Sequence, residues 1–204
     1  VRIGFDVDGV LADFIPAYQA LFVLIAGKNL FEPGDIFDPP CWHWPTLRGY
    51  EDQFPGITMD VLRNIWSNDN FWYSLGAMKN NVRALNMLIP LLEEKHEVYF
   101  LTNRAGLNPK RQTEMWLYKH LGYGRMSGMW PTVLICGENA KGDLCKHLKL
   151  DAYLDDKLEN VEDVIAKNPT TQTYLLTRAY NQHRPFALQV KTLGEFLDAE
   201  MANL

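Results

Sequence analysis

The sequence predicts an α/β fold: a parallel sheet with helices on both faces, and a small, mostly helical insert after the first strand. Three observations carry that expectation. Short apolar, β-prone runs alternate with stretches whose apolar residues recur at helical spacing, which is how a sheet with crossover helices reads. Three of those strand runs stop at polar side chains: Asp6 and Asp8, then Thr102-Asn103-Arg104, then Asp155-Asp156. In an open, Rossmann-like sheet the carboxyl edge of the strands is where ligands bind. A single loop-rich, strongly aromatic segment, residues 29–56, interrupts the alternation.

The first strand is apolar and β-prone at Ile3 and Phe5, and it ends abruptly at Asp6-Val7-Asp8-Gly9. Asp is a poor strand residue, and Gly9 permits a tight bend. Residues i and i+2 of an extended chain share a face, so Asp6 and Asp8 can reach one site unless the bend begins early. Alone, this motif reads equally well as an acidic turn or a surface calcium loop.

Phe14, Tyr18, Leu21 and Ile25 then recur at helical steps up to Gly27. Residues 29–56 combine Pro33, Gly34, Pro39, Pro40 and Pro45 with Phe31, Phe37, Trp42, Trp44, Tyr50 and Phe54. Linkers lack such large apolar side chains, so this segment is expected to be folded. Thr58 opens a short helix with Val61, Leu62, Ile65 and Trp66 on one side, and Asn68-Asp69-Asn70 closes it ahead of Phe71-Trp72-Tyr73. The expected division is an α/β core of residues 1–13 and 76–204, with a helical cap of residues 14–75.

Val82, Leu85, Leu88, Ile89 and Leu92 mark the next helix, which Pro90 should kink or split. The second strand is Glu97–Thr102. Asn108 and Pro109 read as an N-cap and a first-turn proline for a helix that runs to Leu121 and stops at Gly122. A third strand, Pro131–Cys136, leads to a helix opening at Ala140-Lys141. A fourth, Asp151–Leu154, precedes a helix through Val161, Val164 and Ile165. Gln172–Thr177 is the fifth strand, Arg178–Phe186 a loop, and Leu193, Phe196 and Leu197 mark a terminal helix.

Composition narrows the function classes. The 204 residues suffice for one core plus a small insert, and 47% apolar with 22% charged residues is the balance of a soluble globular protein. A net charge of −5 argues against a nucleic-acid polymer as partner. The longest apolar run, Ala20–Ala26, is too short to cross a bilayer, so no membrane partner is expected. Neither a signal peptide nor a transit peptide is visible, so a cytoplasmic protein is expected. Cys41, Cys136 and Cys145 lack metal spacing and should be reduced, and the scattered histidines give no zinc site.

The strand ends, joined by Lys141 at a helix start, form an inventory suited to phosphoryl transfer. Asp6 and one of Asp155 or Asp156 offer hard oxygen ligands for Mg²⁺. Thr102 and Lys141 can hold phosphoryl oxygens and offset their charge. Asn103 and Arg104 stand beside them. So many carboxylates in one place require a compensating cation, whether a metal, Lys141 or Arg104.

In this order, D-x-D-G-V, an apolar strand ending in T-N, a lysine, and an apolar strand ending in D-D, the chain resembles the haloacid dehalogenase (HAD) superfamily of phosphohydrolases. The resemblance spans essentially the whole chain. It implies that Asp6 is a nucleophile forming an aspartyl-phosphate and Asp8 the general acid/base. Mg²⁺ would lie between Asp6, the backbone carbonyl of Asp8 and the Asp155-Asp156 pair, with Asp155 preferred as the direct ligand. Asp8 fits the phosphatase pattern, since dehalogenases of this superfamily lack the second aspartate. The opening D-V-D-G-V-L-A-D-F and the aromatic cap are similar to the 5′(3′)-deoxyribonucleotidase group, in which cap aromatics hold the base. Phe14 and Trp66 are the better candidates for that role here; Trp42 and Trp44 match more loosely. The triplet Thr102-Asn103-Arg104 departs from that family's small-residue version.

The implied activity is phosphoric monoester hydrolysis of a small phosphate ester, foremost a (deoxy)nucleoside monophosphate. The rivals are another small phosphorylated metabolite and a non-catalytic binding scaffold. A homodimer is left open. Some side chains carry a plainer reading as well: core packing for Trp66 and Phe14, helix capping for Arg104.

Overall fold

The computed structural model of the chain describes residues 1–31, 49–123, 128–184 and 186–201. Trp42 and Trp44 lie outside the described residues. Eight strands are described: β1 Arg2–Asp6, β2 Ala12–Asp13, β3 Gly76–Ala77, β4 Glu97–Thr102, β5 Thr132–Ile135, β6 Ala152–Asp155, β7 Gln172–Leu176 and β8 Gln189–Val190. The helices, numbered in chain order, are α1 Phe14–Ala26, α2 Tyr50–Gln53, α3 Ile57–Ser67, α4 Phe71–Ser74, α5 Lys79–Lys95, α6 Pro109–His120, α7 Lys141–Leu148, α8 Leu158–Lys167 and α9 Leu193–Met201.

Six strands form one parallel sheet in the order β5-β4-β1-β6-β7-β8. The first strand sits inside the sheet, and the chain order runs outward from it in both directions. Such a reversal opens a crevice at the carboxyl edge. The register places Phe5 beside Phe100 on one side and Leu154 on the other, so the ends of β1, β4 and β6 meet at the same level. All three expected polar strand ends therefore fall on one edge.

The strands read as continuous apolar runs because both faces are covered. Ile3, Phe5, Phe100 and Leu154 are fully buried. Phe5 stacks near Phe100 at 6.0 Å and meets Phe196 of α9 edge-on at 5.5 Å. The apolar cluster is continuous from the sheet into α1, α3 and α4, so the inserted helices share the core instead of having one of their own. The chain enters and leaves this insert through a two-stranded antiparallel ribbon, Ala12 opposite Ala77 and Asp13 opposite Gly76.

Two local expectations change. Pro90 does not split its helix: α5 runs unbroken through it. Pro90 lies on the exposed side, where water can reach the carbonyl whose donor it removes. The sheet also gains an edge strand, β8, which follows the expected loop Arg178–Phe186 in a stretch to which the sequence assigned no element. Among the described residues, no helix is long and apolar enough to cross a membrane.

Candidate active site

The end of β1 delivers Asp6, and the chain then folds back tightly. The amides of Leu11 and Ala12 both donate to the Val7 carbonyl, at 2.8 and 2.7 Å, and the Gly9 amide donates to Ala12 at 2.9 Å. Val7, Val10 and Leu11 are fully buried and pin this turn from below. Gly9 has a φ of +80°, and a Cβ there would fall 1.9 Å from Asp156 Oδ2. Only glycine lets the turn come this close to the Asp156 carboxylate.

Lys141, the first residue of α7, is buried and ties two strand ends together. Its Nζ donates to Asp6 Oδ1 at 2.5 Å and to Asp155 Oδ2 at 2.7 Å. Burial works against the ammonium, yet Asp155 and Asp6 more than offset it and hold the lysine charged. Asp155 is fully enclosed. Besides Lys141 it accepts from the Tyr153 hydroxyl at 2.5 Å, the Lys157 amide at 2.8 Å and Asn160 Nδ2 at 3.1 Å. Asp156 accepts from the Tyr180 hydroxyl, and Asn181 Nδ2 bridges the carbonyls of Asp156 and Leu176, both at 2.7 Å.

Carboxylate oxygens of Asp6, Asp155 and Asp156 all lie within 4.8 Å of one another. Burial raises the Asp6 carboxyl well above its ordinary value; Lys141 opposes this, and Asp155, Asp156 and Asp8 add to it. Burial, then Asp155, likewise push Asp156 up to about 7. Ionised together, these carboxylates would carry more negative charge than Lys141 alone balances. A small divalent cation would relieve it, and hard carboxylate oxygens are the donors Mg²⁺ takes. Asp6 and Asp156 line the open cavity, whereas Asp155 is already saturated by donors. Of the two neighbours preferred in the order Asp155 then Asp156 from the sequence, Asp156 is the one that lines the cavity, with Oδ2 taken by Tyr180.

Asp8 is held from the β4 side. Thr102 Oγ1 donates to its Oδ2 at 3.2 Å. Arg104 donates through Nε to Oδ2 at 2.9 Å and through Nη2 to Oδ1 at 2.6 Å. The Arg104 side chain is completely buried. The sequence leaves Arg104 open between phosphate contact and helix capping, and its fork is turned onto Asp8.

Above these groups opens a cavity of about 540 Å³, a volume ordinary for a small-ligand site. Asp6, Asp8, Thr102, Asn103, Lys141 and Asp156 line it, with Lys157, Glu159, Asn160, Tyr180 and Arg184 as further polar lining. Its apolar aromatic lining is Phe14 and Trp72, whose rings stack at 5.9 Å with 20° between planes. Trp66 is not there. Helix α3 buries Ile57, Val61 and Ile65, so the next position is turned about 100° away from that face, and Trp66 is 36% exposed. Its backbone instead abuts Gly106 and accepts from the Leu107 amide at 3.0 Å.

The structure thus brings together Asp6, Asp8, Thr102, Asn103, Lys141, Asp156 and Phe14, and leaves Trp66 outside. Trp72, Asn160, Tyr180 and Asn181 went unassigned in the sequence. Tyr180 and Asn181 follow β7 on the same sheet edge, and the strand-end rule that selected Asp6 applies there too.

No family model matches the sequence, and no curated protein sequence matches it. Solved structures do match. A HAD-superfamily hydrolase of subfamily IA, variant 1, from Geobacter sulfurreducens is 13% identical with a TM-score of 0.60, over 97% of this chain and 95% of that one. Phosphatase Tt82 from Thermococcus thioreducens is 14% identical with a TM-score of 0.55, over 100% of both chains. L-2-haloacid dehalogenase from Xanthobacter autotrophicus is 11% identical with a TM-score of 0.56, over 98% of both. This chain is built on the fold of these HAD hydrolases. A phosphatase and a dehalogenase share that fold, so the chemistry has to be argued from the side chains present here.

Proposed function

We propose that this protein is a Mg²⁺-dependent phosphomonoesterase that hydrolyses nucleoside monophosphates, deoxyribonucleotides foremost, through an aspartyl-phosphate on Asp6. The observation that carries the reading is the pairing of Asp6 with Asp8 at the floor of one cavity, with Lys141 beside them and a flat aromatic surface above. A second carboxylate so placed has work in phosphate ester hydrolysis, where a leaving oxygen needs a proton. The name of the Thermococcus phosphatase is in keeping with this chemistry.

In the proposed reaction Asp6 Oδ2 attacks phosphorus while Lys141 holds Oδ1 and offsets charge on the phosphoryl oxygens. The ester O–P bond breaks as the Asp6–phosphorus bond forms, and Asp8 gives its proton to the leaving oxygen. Water then attacks phosphorus, passing a proton back to Asp8, and Asp6 is released with inorganic phosphate. Two easier displacements replace one difficult one. The cation would be held by Asp6, Asp156 and the Asp8 carbonyl, and when bound it supplies charge neutralisation at the phosphoryl group. Asn103 lines the cavity and would donate to a phosphoryl oxygen, and Thr102 would do so by turning its hydroxyl hydrogen away from Asp8. Phe14 and Trp72 offer the face against which a base would lie, in place of Trp66.

The test is phosphate release from 5′- and 3′-monophosphates, ribo and deoxy, beside sugar phosphates, with Mg²⁺ or EDTA. Release from nucleotides that EDTA abolishes is expected. Release from sugar phosphates alone would discard the stacking surface, and no release from any ester would leave a binding scaffold.

A further inference from the structure

We propose that Arg104 is a positioning residue for Asp8: its buried guanidinium fork fixes the carboxylate that moves the proton, and it does not bind the phosphate. The inference rests on the reading of Asp8 as general acid/base given above.

Four features of the site converge. The fork is two-pronged, Nη2 on Oδ1 and Nε on Oδ2, so it fixes both the place and the rotation of the carboxylate. The third nitrogen is also committed: Nη1 donates at 2.8 Å to Thr113 Oγ1, and that hydroxyl donates on to the Pro109 carbonyl at 2.7 Å. Every nitrogen of the group thus has its partner within the protein, and the side chain is sealed from the cavity. The guanidinium carbon also lies 4.9 Å from the centre of the Trp72 ring. Trp72 is itself held, its indole nitrogen donating to the Ala105 carbonyl at 2.9 Å and its amide to Gln112 Oε1 at 2.8 Å.

Asp8 has the opposite character. Its side chain is 18% exposed and faces the cavity, and it follows a strand rather than lying within one. Without the fork, only the 3.2 Å bond from Thr102 would hold it among the described residues. The arginine therefore supplies orientation to a group that must give a proton to the leaving oxygen as the O–P bond breaks, and take one from water later. A lysine could supply the charge but not the two parallel bonds. Because Trp72 lines the cavity and also covers Arg104, a ring bound against Trp72 presses on the same assembly.

Two esters of similar size separate positioning from phosphate binding. From 4-nitrophenyl phosphate the phenolate leaves without help; from 4-nitrobenzyl phosphate the alkoxide needs a proton. The readout is the pre-steady-state rate of phosphoryl transfer to the enzyme, since the later hydrolysis step uses Asp8 for both. Arg104→Met, which keeps length and loses the fork, is expected to slow transfer from the benzyl ester roughly 100-fold. Transfer from the nitrophenyl ester should change less than about 3-fold, with KM and inhibition by inorganic phosphate unaltered. Thr113→Val removes only the anchor and should show the same selectivity at about 3- to 10-fold, covering the case in which Arg104→Met fails to fold. Equal losses on both esters, or weakened phosphate inhibition, would overturn the proposal. Asp8→Asn separates the two layers. If it is selective for the benzyl ester and the Arg104 and Thr113 variants are not, positioning alone fails; if Asp8→Asn shows no selectivity, the acid/base reading fails and the inference falls with it.

Discussion

Replacing Lys141 with methionine isolates the charge that joins the two strand ends. The side chain keeps its length, so packing changes little, but Asp6 Oδ1 and Asp155 Oδ2 lose donors at 2.5 and 2.7 Å. Both carboxylates are buried, and breaking a buried pair from one side costs about 3–5 kcal/mol. For a chain of this size that corresponds to a fall in Tm of roughly 6–20 °C. The loss has a pH signature. Burial already raises the Asp6 carboxyl, and Lys141 opposes the rise, so the variant holds its proton more tightly in the folded state. A folded state that binds more protons than the unfolded one loses stability as pH rises above the ordinary carboxylate range. The variant should therefore lie closer to wild type at pH 5 than at pH 8 in urea unfolding without metal. A loss below about 1 kcal/mol at pH 8, or a gap that widens at low pH, would refute the idea that this ammonium balances the site.

Other outcomes follow from the same geometry. Asp156→Asn should weaken Mg²⁺ binding, measured by calorimetry, at least 10- to 100-fold, and Asp155→Asn should weaken it less while lowering stability more; the reverse order would return the direct contact to Asp155. Gly9→Ala should destabilise by about 1–2 kcal/mol from its left-handed backbone alone and also reduce Mg²⁺ affinity, because the added Cβ displaces Asp156. Trp66→Ala should alter nucleotide and 4-nitrophenyl phosphate turnover by one small common factor, whereas Trp72→Leu should cost about 1–3 kcal/mol more on the nucleotide. Equal effects at Trp66 and Trp72 would remove the stacking surface from the account.

Much of this architecture is legible in the sequence because parallel strands buried on both faces write themselves as apolar runs. Glu97–Thr102 and Ala152–Asp155 are such runs, and their polar ends mark the site edge. What stayed hidden is local. Two-residue elements such as β2, β3 and β8 carry no period to read. A helical period says which face is buried but not what lies beyond the exposed one, so Trp66 was favoured on the resemblance alone and Trp72 went unassigned. Asp155 and Asp156 are neighbours of one type, and only their partners distinguish them. Tyr153, two residues before Asp155 and so on the same strand face, was the available hint that Asp155 is the enclosed one. Arg104 read as either a phosphate contact or a helix cap because its sequence position is next to the strand end; that it forks back onto Asp8 depends on Thr113 and Trp72, which lie on other elements.

The aspartyl-phosphate is tested by quenching a turnover mixture in acid, digesting it at acid pH and mapping any phosphoryl adduct by mass spectrometry. One adduct is expected, on the peptide carrying Asp6, and it should be absent from Asp6→Asn along with turnover. Phosphate release with no adduct and with activity retained in Asp6→Asn, or an adduct on a different residue, would contradict it.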